Sequence, residues 1–158
     1  MPMTNQTRSS RPFSHHQFNS SSSMKTLHTA TAVIELGAGL ALLCFPSATV
    51  ALLVGAPLEA APALTVARVG GAGLLALGVA CWRARGDTES RAAKGLIEAM
   101  LLYNVAAVVV LAFAGTGFGL HGVALWPAVV LHAVMTLWCV AWLRHSPLNV
   151  TTNSHSTR

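Results

Sequence analysis

Five polar side chains interrupt stretches that are otherwise apolar: Glu35, Arg68, Glu98, Asn104 and His132. An ionisable group in such a run is costly inside a bilayer and is ordinarily turned toward a partner or a water-filled cavity. A carboxylate there can exchange a proton or hold a cation, a guanidinium can pair with it, and an amide and an imidazole can complete the hydrogen bonds. From the helical rise, Glu35 and Asn104 lie about 12 and 14 Å in from one side, and His132 and Arg68 about 12 and 8 Å in from the other. These four form the expected intramembrane polar cluster, with Glu35 as the acidic partner of Arg68. A gap of about 10 Å along the membrane normal separates that pair. Glu98 sits one turn from an interface and reaches water by extending its chain.

Helical periodicity gives each polar residue a stripe of small or weakly polar neighbours. Glu35 shares a face with His28, Thr31, Ala38 and Gly39. Arg68 shares one with Gly71, Leu75 and Gly78, and His132 one with Ala128, Thr136 and Cys139. Two readings stay open: a network that orients the bundle through interhelical hydrogen bonds, and a proton or ligand site. No cofactor is expected. Haem or quinone binding is the alternative weighed, but His28 and His145 lie near one interface while His132 is deeper and alone. Gly70, Gly71 and Gly73 stand in an apolar helix, not after a strand, so they form no phosphate loop. Cys44, Cys81 and Cys139 lack Cys-x-x-Cys spacing and read as small packing residues.

The elements that must position these residues are four apolar runs, at about residues 27–45, 63–82, 95–114 and 124–143. Each is close to the roughly 20 residues needed to cross a bilayer as a helix. The expected fold is therefore all-α, a membrane-spanning four-helix bundle over residues 26–144. Residues 47–56 are apolar but short and bracketed by Pro46 and Pro57, so they should lie at the outer interface or re-enter without crossing. The Ser-, Asn- and His-rich stretch 1–25 and the polar stretch 145–158 lack apolar periodicity and read as disordered tails. Met24 offers an alternative translation start. A cleaved signal peptide fits poorly, because Glu35 interrupts the apolar core and no small-residue cleavage pattern follows.

Composition agrees with a membrane address. Of 158 residues, 53% are hydrophobic and 9% charged, with a mean hydropathy of +0.57, against about 25% charged residues in soluble domains. The net charge of +5 is not a nucleic-acid signature, since no basic face is interleaved with aromatics. Nine of the ten Lys and Arg residues fall outside the four apolar runs, in the two tails, at Arg144 beside the second tail, or in the segment 83–94; Arg68 is the other. The positive-inside rule then puts both termini in the cytoplasm of a bacterium, with the lipid bilayer as first partner and a second copy or another membrane protein as a further one.

The run Ala67-Arg68-Val69-Gly70-Gly71 with Leu77-Gly78 and Trp82, then Leu102-Tyr103-Asn104 and the run from Leu125 to His132, resembles bacterial four-helix membrane proteins of the DoxX-like group over about residues 24–144. That resemblance implies a fold, a location and, for some relatives, an accessory role beside quinone-linked subunits; it carries no catalytic motif. The chain is also similar in part to small multidrug transporters, with four helices and one acidic residue, Glu35, in the first. Such transporters exchange protons for cations at that carboxylate. Arg68 in the second span, few aromatics in the first three and the long segment between the first two depart from that pattern. The expected function is a non-enzymatic structural or accessory membrane protein or a binder of a small apolar ligand. A proton-coupled transporter centred on Glu35 and a redox subunit are the alternatives.

Overall fold

The structure is a computed structural model that describes residues 15–87 and 90–145. Among these residues it is all-α, with five helices: α1 (His15–Cys44), α2 (Pro46–Val54), α3 (Ala61–Ala84), α4 (Arg91–Gly117) and α5 (Leu125–His145). Four contain segments long and apolar enough to cross a membrane, Lys25–Cys44, Ala61–Ala84, Arg91–Gly117 and Leu125–Arg144. The expected fold class holds, and the helices overrun the predicted spans by a few residues at most ends. The one larger difference is at the start. Residues 15–25, expected as unordered tail, continue α1 toward its N-terminus, since a helix that is already nucleated extends at little further cost. The remainder of the two expected tails, residues 1–14 and 146–158, lies outside the described residues.

Helix boundaries follow from local chemistry. Pro46 takes the first position of α2, where its missing N–H has no helical partner. Gly55 ends α2 in the left-handed conformation at φ +85° and donates to the Ala51 carbonyl. At nine residues α2 is about 13 Å long, too short to span, as the flanking prolines predict. Ser90 caps α4, its Oγ accepting from the Ala93 amide at 3.1 Å, while the Ser90 amide donates to Asp87 Oδ1.

The long helices associate as two antiparallel pairs, α1 with α3 and α4 with α5, and the contacts between the pairs are far sparser. Small residues set the first pair. A Cβ placed on Gly39 would lie 2.7 Å from the Gly71 carbonyl oxygen and 2.8 Å from the Leu75 nitrogen, and one on Gly78 would lie 2.8 Å from Leu36 Cγ. The helices therefore touch backbone to backbone, the close approach that membrane helices use in place of hydrophobic exclusion. At the end of the bundle opposite the charged segment, α2 is fastened to the turn before α5. There the Ala124 amide donates to the Leu52 carbonyl at 2.9 Å, and Gly122 rests against the Leu53 carbonyl with no space for a side chain. The buried core sits toward the charged end, where Leu27, Ala32, Cys81, Ala93, Ile97, Met100, Met135, Cys139 and Trp142 form one cluster. Val66, Val69, Leu102, Val110 and Leu137 face outward and are largely exposed.

Candidate functional site

Glu35, on the inward face of α1, is 3% exposed, and Thr31 one turn earlier is 2% exposed. The Tyr103 hydroxyl of α4 donates to the Glu35 carboxylate. α1 and α4 belong to different helix pairs, so this bond reaches across the middle of the bundle. Cys81 of α3 and Cys139 of α5, both buried free thiols, lie close enough to this centre to interact electrostatically, Cys81 with Glu35 and with Cys139.

On the far side of Tyr103 the polar centre continues. The His132 ring meets the Tyr103 ring edge-on, with centroids 5.6 Å apart and planes at 83°, and His132 Nδ1 lies 2.8 Å from Asn104 Oδ1. Asn104 Nδ2 donates to the Met100 carbonyl at 2.7 Å, one turn back on the same helix. With its amide nitrogen committed as donor, Asn104 presents an acceptor to His132, so the imidazole proton on this side belongs on Nδ1. Both hydrogen-bonding ends of the 1% exposed Asn104 are thereby satisfied inside the protein.

Three of the four sequence-derived cluster residues, Glu35, Asn104 and His132, are thus brought together, and Tyr103 is the member that joins them. Arg68 is not part of this centre: it is exposed, and the pairing with Glu35 expected from the sequence is not made. The reason is register. Stepping about two turns outward from the Gly39 and Leu75 contact reaches Pro46 on one helix and Arg68 on the other. Arg68 therefore stands level with the break that ends α1, about 16 Å along the axis from Glu35. Glu98 is also exposed, as expected of a residue that extends to the interface.

Tyr103 was missed as a site residue by sequence reasoning. It is the chain's single tyrosine and lies in mid-span, where tyrosine is unusual because membrane interfaces are its ordinary place. That signal could have marked it. His28 is 1% exposed and lies about two turns from Glu35 on α1. It is too far along the bundle from His132 for the two to ligate one haem iron. Among the described residues no group of three or more His, Cys, Asp and Glu side chains is arranged to hold a metal ion.

Comparison of the chain with protein-family models, with curated proteins and with solved structures returns no match. The functional reading therefore rests on the geometry of the polar centre.

Proposed function

We propose that the chain is a non-enzymatic multi-pass protein of the bacterial inner membrane, with both termini in the cytoplasm, acting as a structural or accessory subunit. The observation that carries this reading is how the polar centre spends its groups. Glu35 meets Tyr103 and Asn104 meets His132, so the polar atoms fasten helix to helix. Interhelical hydrogen bonds of this kind are a packing device of membrane proteins. The outward faces of the long helices carry exposed valines and leucines, which suits lipid as the surrounding partner. Orientation is supported by the nine basic residues outside the four apolar runs of the sequence. The DoxX-like resemblance is consistent with the same role.

A second reading, a proton-coupled transporter centred on Glu35, is favoured by the position of Arg68. Arg68 in the second span departs from the transporter pattern, but it is exposed and stands away from the Glu35 carboxylate, leaving that group without a cationic partner there. Vesicles reconstituted with the purified protein and loaded with a pH-sensitive dye separate the two readings. The accessory role expects no cation-driven proton flux beyond that of protein-free vesicles. Flux that disappears in Glu35→Gln would replace it with the transporter.

A further inference from the structure

The buried side-chain nitrogens that lack a hydrogen-bond partner among the described residues are His28 Nδ1, His28 Nε2, Arg85 Nη1 and Trp142 Nε1. All four lie at the charged end of the bundle, and the helix register puts them in one layer. About two turns from the Leu36 and Gly78 contact, α1 reaches His28 and α3 reaches Arg85. The same step from Glu35 and Tyr103 reaches His28 and Leu96, and from Asn104 and His132 it brings Trp142 to within about 3 Å of that height. Arg85 stacks its guanidinium 3.6 Å over the Trp82 ring, which fixes the group without supplying an acceptor. The Asp87 carboxylate, three residues past the end of α3, is near enough for its field to reach His28.

We propose that this layer holds internal water that links the aqueous phase at the charged end to Glu35, so that Glu35 exchanges protons with that side. Unpartnered buried polar groups are costly, and those that persist ordinarily hold water or an ion. Arg85 and Trp142 offer only N–H donors here, and the His28 ring offers one donor and one acceptor. A molecule that both donates and accepts, and is small enough for a layer where His28 is 1% exposed, satisfies all three. From His28 the buried Thr31 and Glu35 continue on the same face of α1, with Tyr103, Asn104, His132, Thr136, Cys81 and Cys139 among the polar or titratable groups around the end of that line. Beyond Glu35 the Gly39 and Gly71 backbones meet and close the route between α1 and α3. The inference goes beyond the accessory role and holds independently of it, because access to one side is not flux across the membrane.

Water-edited solid-state NMR of the full chain in lipid bilayers, with labelled His, Glu and Leu, is the test. The His28 ring nitrogens and the Glu35 carboxyl carbon should gain magnetisation from water at least about threefold faster than the Leu36 methyl groups. In His28→Phe the gain at Glu35 should fall to the Leu36 rate, and in His28→Gln, which keeps polar atoms, it should persist. A dry His28 ring in the unmutated protein would overturn the proposal on its own, whether or not the variants fold. So would an unchanged Glu35 signal in a folded His28→Phe, or phosphorus contacts showing a lipid phosphate or a free phosphate in the layer instead of water.

Discussion

Gly39 and Gly71 meet so closely that a methyl group on Gly39 would stand 2.7 Å from the carbonyl oxygen of Gly71. This contact sets the distance between α1 and α3 and, through α1, the point at which Glu35 enters the middle of the bundle. Gly39→Ala must therefore push the helices apart, and overpacking of a close contact costs about 1–3 kcal/mol. Gly37 and Gly73 have nothing within 4 Å of the same position, so Gly37→Ala and Gly73→Ala should be neutral or stabilising by up to about 1 kcal/mol through helix propensity. Thermal unfolding of the four proteins in detergent checks the contrast. Equal effects at Gly37 and Gly39 would mean that α1 and α3 do not cross there.

Asn104 and His132 should be energetically coupled. A double-mutant cycle with Asn104→Ala and His132→Ala should return an interaction of about 0.6 kcal/mol, up to about 1.7 kcal/mol, the range seen for interhelical hydrogen bonds in membranes. Strict additivity would show that the bond between Oδ1 and Nδ1 is not made in the bilayer.

For Glu35, Tyr103 and Arg68 the register makes opposite demands on two cycles. Glu35→Ala and Tyr103→Phe should be coupled, because the phenol donates to the carboxylate. Glu35→Ala and Arg68→Ala should add within about 0.3–0.5 kcal/mol, as distant sites do. Coupling between Glu35 and Arg68 that exceeds coupling between Glu35 and Tyr103 would restore the ion pair that the sequence suggests.

The contrast between these pairs shows what a sequence can carry. The four apolar runs, the short segment closed by Pro46 and Pro57, and the inward placement of the buried Glu35 and Asn104 and the half-buried His132 are legible because composition and 3.6-residue periodicity are local. Arg68 was misjudged because its depth was inferred from its own span, whereas its company depends on where α1 stops. Tyr103 and the layer of unpartnered nitrogens depend on heights matched between separate helices, and no single helix records those. The start of α1 was set too late because a polar composition says little about a helix that grows backward from an apolar one.

Gly86 and Gly119 stand at opposite ends of the bundle, each in a connection between long helices. A reporter active only in the cytoplasm should work when fused at Gly86, and an export-dependent reporter should work at Glu59 or Gly119. Export at Gly86 would reverse the proposed orientation. Single cysteines at Ser47 and Glu59, introduced after removal of the native thiols, should both react with an impermeant reagent from the same side, since the Ser47 hydroxyl donates to the Leu58 carbonyl at 2.9 Å. Reaction from opposite sides would make α2 a crossing segment.

The division into two helix pairs also imposes an order in time. A chain inserted from its N-terminus completes α1, α2 and α3 before α4 has left the ribosome. The stretch from Ala84 to Tyr103 then takes about 1–4 s to emerge at roughly 5–20 residues per second. Through that interval the glycines that α1 and α3 need for their contact are both present, and Glu35 stands in the nascent protein without its phenol. Arrival of α4 supplies that phenol, so the bond that joins the two helix pairs waits on one tyrosine.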